Sequence, residues 1–252
     1  MTGCPNILDA IREAEVLNVC KLFSAPTKIL ELGGADGFQA RILSAQGHTL
    51  DSIDIPGRHV RGPLCFPVSD YDGTNIPFPD GTFGGVFSSN VLEHIPHLQH
   101  TLREVRRVLK PGGLAVHLLP TPAWRIWTTL THYPRLVGMV AGKLTRAQAK
   151  IAPSIAGGSS RRSPYKALLR ATGLLPHGEY SSAISELYYF SERRWTREFS
   201  SAGFEVVSCT SGGLFYTGHL LFPNLSIDAR KRLSMGLGSA CHVFVMRRGW
   251  HQ

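Results

Sequence analysis

The chain has 252 residues, of which 43% are hydrophobic and 18% charged, enough to bury a sizeable core and too apolar for a disordered chain. The five cysteines form no C-x-x-C pair, which argues against a disulfide framework and a zinc site. No apolar run reaches the roughly 18 residues that cross a bilayer, and the N-terminus lacks a basic stretch followed by an apolar one, so a cytoplasmic protein is expected.

The net charge of +9 is uneven. Residues 1–120 hold 10 basic and 12 acidic side chains, and residues 121–252 hold 17 and 6. Between Glu104 and Glu179 there is no acid but 12 Lys and Arg. A solvated basic surface explains this, and so does a contact face for an anionic partner.

Residues 6–23 place Ile7, Leu8, Ile11, Val16, Leu17 and Val19 at roughly helical intervals, closed by Pro26. KILELGG (28–34) reads as a buried strand running into glycines. FQARILSAQG (38–47) is a helix stopped by Gly47, and LDSIDI (50–55) a second strand broken by Pro56-Gly57. GGVFSSN (84–90) is a further strand. Residues 97–113 form an amphipathic helix with Leu98, Leu102, Val105, Val108 and Leu109 on one face, stopped by Pro111-Gly112-Gly113. LAVHLLP (114–120) is the next strand. Strands alternating with helices imply a doubly wound, mostly parallel sheet.

Regularity lapses over 121–190, where aromatic and basic stretches and a Gly/Ser/Arg-rich patch (155–164) suggest an inserted cap. Helix 191–204 resumes the order. FEVVSCT (204–210) and CHVFVMRR (241–248) then make an antiparallel closing pair. The expected organisation is a cofactor-binding half (1–120), an inserted cap or lid (121–190) and the rest of the core (191–252).

The stretch ILELGGADG (29–37) carries the most information. Strands of a parallel sheet point their carboxyl ends at the ligand crevice, and Gly33, Gly34 and Gly37 let backbone approach a ligand closely. A tight strand-to-helix turn is the plainer reading. A dinucleotide fingerprint starting at Gly33 needs glycines at 35 and 38, where Ala35 and Phe38 stand. Instead Glu31 opens the motif, and Gly33, Ala35 and Gly37 follow at alternate positions. Asp54 comes 21 residues after Gly33, at the end of the second strand, where a carboxylate can accept two ribose hydroxyls.

Over residues 28–120 this pattern resembles the class I S-adenosylmethionine-dependent methyltransferases, in particular their small-molecule, type 11 branch. The E/D-x-G-x-G-x-G motif departs here only at Ala35. DGTNIPFPDGTFGG (72–85) and VFSSNVLEHI (86–95) are similar to that branch's acidic loop and L-E-H strand end. The resemblance implies a seven-stranded Rossmann-like sheet with an antiparallel closing strand, S-adenosyl-L-methionine as cofactor and no metal. It also implies that Asp72, with Gly73 beside it, meets the adenine amino group, with Asp70 as the competing register. Ser89 and Asn90 would line the methionine end. Where the branch has Phe-Asp, this chain has Phe83-Gly84.

Methyl transfer needs proximity and alignment, and a hydroxyl acceptor also needs its proton removed. His94 is the candidate base, with a structural role as its rival; Glu93 either orients a donor or caps a turn. His117 reads as a core histidine, and His132 and His219, which lie near aromatic residues, are further candidates to face the acceptor. In 120–150, Trp124, Ile126, Trp127 and Leu130 alternate with Arg125, Arg135, Lys143 and Arg146, as in a packed cap helix, a lid over an apolar or phosphate-bearing acceptor, or an interfacial helix on an anionic membrane. The reaction implied is O-methylation of a saccharide or lipid-linked small molecule. The alternatives are a non-catalytic partner subunit that binds the cofactor and, ranked lower for want of an RNA-binding module, an RNA methyltransferase. Oligomeric state is not legible.

Overall fold

The computed structural model describes residues 7–24, 26–57, 63–132, 183–218 and 222–249. In chain order the elements are α1 (Ile7–Cys20), β1 (Lys28–Leu32), α2 (Phe38–Ala45), β2 (Thr49–Asp54), β3 (Ser69–Asp70) and β4 (Phe83–Ser89). A 3₁₀ turn (Leu92–His94), α3 (Leu98–Val108) and β5 (Leu109–Pro120) follow. Helical residues 122–132 (α4), α5 (Ala183–Tyr189), α6 (Glu192–Ser201), β6 (Phe204–Ser211), α7 (Ile227–Leu237) and β7 (Cys241–Arg248) complete the chain.

The seven strands form one sheet in the order β3-β2-β1-β4-β5-β7-β6. β3 through β5 are parallel, and β7 runs antiparallel between β5 and β6. Strand periodicity explains why both faces are apolar, since successive side chains point to opposite sides. Leu30, Val86, Ala115 and Phe244 pack with Leu102 and Val105 of α3 and Trp195 and Phe199 of α6. Their neighbours Ile29, Phe87, Val116 and Val245 pack with Val16 and Val19 of α1 and Ile42 and Leu43 of α2. Because β1 leads outward through β2 to β3 while β4 leads the other way, a crevice opens between the carboxyl ends of β1 and β4.

Several boundaries differ from the sequence reading. α3 stops at Val108, and Leu109 already turns extended and pairs with Phe83. Pro111 disfavours helix for Lys110, so the chain enters β5 five residues before the expected start. A register shift between Phe83 and Gly85 absorbs the Lys110–Gly113 stretch. α7 escaped the sequence reading because it has almost no apolar stripe; its buried residue is Arg230, which donates to the Phe215 and Phe222 carbonyls. Ser226 caps it by accepting from the Ala229 amide. The two-residue β3 is too short to show alternation.

The 120–150 segment is seen only through residue 132. Trp124 is buried against Phe190, and Trp127 donates to the Leu237 carbonyl while its ring meets Phe215 edge-on. Arg125 is buried in an ion pair with Glu186 at 3.0 Å. These tryptophans and this arginine therefore serve the interior rather than an interface, while Ile126 and Leu130 face outward. Arg135, Lys143, Arg146, the 155–164 patch and His219 lie outside the described residues. Among the described residues no helix is long and apolar enough to cross a membrane.

Candidate functional site

A pocket of about 600 Å³ opens over the carboxyl ends of β1, β2, β3 and β4. Its floor is the turn after β1. The Gly33 and Gly34 amides both donate to the Ile53 carbonyl, at 2.8 and 3.2 Å, which ties the turn to β2. Gly33 has φ +80°, and a Cβ there would collide with the Val91 side chain. Gly37 has φ +75°, and its Cβ would strike the Phe66 backbone at 2.6 Å. Ala35 carries its methyl in the left-handed region at φ 48°, a strained position for a residue other than glycine.

Asp54 closes the turn from the β2 side. Its Oδ2 accepts from the Ala35 amide at 2.8 Å and its Oδ1 from the Ile55 amide at 2.7 Å. Each oxygen keeps a further lone pair, and the residue lines the pocket. Beneath the turn lies Glu31, 1% exposed, which accepts from Ser52 Oγ at 2.6 Å. Burial pushes its carboxyl up to about 8, so it is a neutral acid at pH 7. Gly34 rests on this pair, because any side chain there would collide with Ser52 and Glu31.

The opposite wall is the turn after β4. Ser89 ends the strand, and Asn90 sits at φ 54°, a conformation asparagine tolerates. The amide orientation that satisfies its neighbours puts Oδ1 2.7 Å from Arg12 Nη1. Arg12 reaches in from α1, lines the pocket and pairs with Glu15 at 2.8 Å. Glu15 also accepts from Tyr216 Oη at 2.9 Å, and Tyr216 touches Cys241 Sγ at 3.1 Å. A buried polar network thus anchors the one arginine on this wall to β7. Val91, His94, Ile95 and Pro96 continue the lining, and Leu8 and Phe38 add apolar surface.

The fold thereby gathers Gly33, Gly34, Ala35, Asp54, Gly73, Ser89, Asn90 and His94 around one pocket. Glu31 and Gly37 stand behind it, shaping the turn. Asp72 lies outside the lining, exposed, and caps its own loop by accepting from the Thr74 and Asn75 amides at 2.7 Å each. Those hydrogen bonds hold its carboxyl below the usual range. Asp70 lies in β3 beside Asp54 and is likewise not in the lining. Tyr71, between them, does line it.

Neighbouring motif residues serve the scaffold. Arg107 of α3 straps the 76–80 loop down, donating to the Ile76 and Phe78 carbonyls and to Asp80, each within 2.9 Å. At Gly84 a Cβ would sit 2.9 Å from the Thr27 methyl, so the chain passes too close there for an aspartate. His117 is fully buried, 2.7 Å from Ser88 Oγ and stacked on Phe199, with its pKa lowered by burial to about 3. Among the described residues no cluster of three His, Cys, Asp or Glu side chains is set to hold a metal.

The one pocket residue that sequence reasoning missed and that bears a full charge opposite to Asp54 is Arg12. Its only signal was polarity on a helix whose other face is apolar, which any surface arginine shows.

The sequence profile of the methyltransferase domain family matches residues 10–209. An uncharacterized methyltransferase of Mycobacterium sp. (strain KMS) is 33% identical over 117 residues, 42% of this chain and 44% of that protein. A demethylmenaquinone methyltransferase of Corynebacterium kroppenstedtii is 33% identical over 110 residues, 41% of this chain and 46% of that protein. The aligned segment thus spans less than half the length of these curated relatives. An S-adenosylmethionine-dependent methyltransferase from Mesorhizobium loti has the same fold, with a TM-score of 0.55 at 17% identity, covering 93% of this chain and 98% of that one.

Proposed function

The chain belongs to the methyltransferase domain family, and on that footing we propose that it transfers a methyl group from S-adenosylmethionine to a hydroxyl of a small molecule with an apolar part, such as a lipid-linked compound. The observation that carries this reading is the glycine turn, clamped by Asp54, that lines a pocket at the switch point of the sheet. Its volume lies within the range of small-ligand sites.

The residues fit the cofactor's parts. Asp54 has two unused lone pairs for the ribose hydroxyls, and the Gly33–Ala35 backbone allows close approach where side chains would collide. Arg12, with Ser89 and Asn90, offers a cation and polar atoms to the methionine carboxylate and ammonium. Gly73 and Tyr71 border the adenine end. Asp72 stands outside the lining, with Oδ1 held by the Thr74 and Asn75 amides and a lone pair left on Oδ2. When bound, the cofactor supplies an electrophilic sulfonium methyl. The chain's own task is then to orient the acceptor, exclude water and take up a proton. His94 lines the pocket and can accept that proton. Leu8, Val91, Ile95 and Pro96 near it favour an acceptor that buries apolar surface. The basic segment beyond residue 132 would draw in an acceptor bearing phosphate, or an anionic membrane holding it.

The test is calorimetry with S-adenosylmethionine and its demethylated product. Binding is expected, and Asp54→Ala should weaken it by about 1.5–3 kcal/mol, the range for charge-assisted hydrogen bonds. Unchanged affinity in that variant would sink the ribose assignment. Incubation with labelled cofactor and host extract, with demethylmenaquinone in the first acceptor panel because one relative is named for it, then identifies the product.

A further inference from the structure

The 3₁₀ turn after β4 sets a carboxyl and an imidazole side by side, one sealed in the interior and one facing the pocket. Glu93 is 1% exposed, and among the described residues neither of its oxygens has a hydrogen-bond partner on another residue. Its Oε1 lies 3.8 Å from His94 Nε2. The His94 side chain is 42% exposed and lines the pocket. The charged and titratable groups around Glu93 come from four other elements: Arg12 on α1, Glu186 on α5 with its partner Arg125 on α4, and Cys241 on β7. Both guanidiniums are already matched, Arg12 to Glu15 and Arg125 to Glu186.

An unmatched buried carboxyl is costly, and packing alone does not require one, since an apolar side chain would fill the same space at less cost. Its placement against a pocket-facing imidazole gives it a use. We propose that Glu93 is the positioning residue of His94, and that the two side chains share a proton so that the carboxyl sets the tautomer and basicity of the ring. This rests on the methyl-transfer reading, with His94 as base.

In the step, the acceptor's O–H bond breaks and its proton goes to the pocket-facing nitrogen of His94. The acceptor oxygen forms its new bond to the methyl carbon, and the sulfur keeps the pair of the bond that is lost. Starting from the ionised form of Glu93, whose share grows as pH rises toward about 8, the carboxylate 3.8 Å from Nε2 steadies the resulting imidazolium. The surplus proton leaves to solvent past the exposed edge of the ring. Burial, only partly offset by the Glu93 amide and Arg12, pushes the Glu93 carboxyl up to about 8, which brings it into the range where exchange with an imidazole is easy. On this proposal the two titrate as a pair rather than singly.

Ring-proton NMR titration of His94 in the ligand-free protein, with the signal assigned through His94→Gln, reads this coupling without any reaction. Two steps are expected in the wild type, the second arising from Glu93, and one step in Glu93→Gln. Turnover in Glu93→Gln should drop about 10–100-fold with cofactor affinity unchanged, and Glu93→Asp should restore part of it. A single, identical step in wild type and Glu93→Gln overturns the pairing, even if methyl transfer is normal. Two steps in a protein that transfers no methyl group would keep the pair and reject the function proposed above. A single step in the wild type already overturns the pairing, so a Glu93→Gln variant that fails to fold does not protect the proposal.

Discussion

The turns after β1 and β4 meet where Gly33 abuts Val91, yet one is built from backbone and the other from side chains. In the first, the amides of Gly33, Gly34 and Ala35 are all spoken for, and the carboxyl beneath it, Glu31, has a donor in Ser52. In the second, a left-handed Asn90 leans on Arg12, Glu93 is buried with no hydrogen-bond partner on another residue among the described residues, and His94 is half exposed. A turn whose backbone amides are all satisfied is stiff and suits recognition of a fixed shape. A turn that keeps an unmatched carboxyl beside an imidazole suits moving a proton. The two buried glutamates make the contrast sharp, because both are pushed up to about 8 by burial although only one has a hydrogen-bond partner.

The largest expected effect is at the second turn. His94→Ala should lower turnover about 10²–10⁴-fold while leaving cofactor affinity nearly intact. Steady-state rates alongside calorimetry check this, and a parallel loss of affinity would move His94 to the structural side of the comparison. A smaller effect is expected at the first turn. Gly33→Ala adds a methyl both at positive φ and against Val91, costing about 1–3 kcal/mol of stability in denaturant melts. Val91→Ala in the same chain should recover the steric part and leave the backbone part. Full recovery would show that the left-handed geometry at Gly33 matters little.

A third effect is a pH dependence that treats both turns alike. Glu31 is raised from 4.5 to about 8 in the folded protein, and Glu93 likewise. Between those values the folded protein holds protons that the unfolded chain has lost, so stability falls as pH rises through this window. His117 acts in the opposite sense: with its folded value lowered from 6.5 to about 3, its contribution is complete above 6.5 and is lost as pH falls toward 3. Melting temperatures of Glu31→Gln should therefore decline less steeply than wild type from about pH 5 to about pH 8. An unaltered slope would mean that Glu31 is ionised inside the fold.

Much of the first turn was legible in the sequence, and much of the second was not. A glycine that must adopt positive φ or admit a neighbour leaves its mark in the residue type, so Gly33, Gly34 and Gly37 stood out. Asp54 did so by its distance along the chain. Short apolar runs likewise foretold β1, β4, β5, β6 and β7, because strands packed on both faces need them, and alternation foretold β2. Gly84 was read only as a missing aspartate; the nearness of Thr27 that accounts for it appears only when β1 and β4 are side by side.

Sequence alone thus determined every strand of the sheet but β3, the glycine turn and the carboxylate at the end of β2, since each follows from local sterics or a short repeat. Tertiary structure decided which charged groups share a space. Arg12 reaches Asn90 across 78 positions of chain, Tyr216 reaches Glu15 across 201, and the two tryptophans of α4 turn inward rather than toward a surface. It also separated Asp72 from the pocket that Gly73 borders, by letting neighbouring amides claim its carboxylate first. Such pairings depend on burial and on long-range approach, and neither is written in the spacing of residues along one strand or helix.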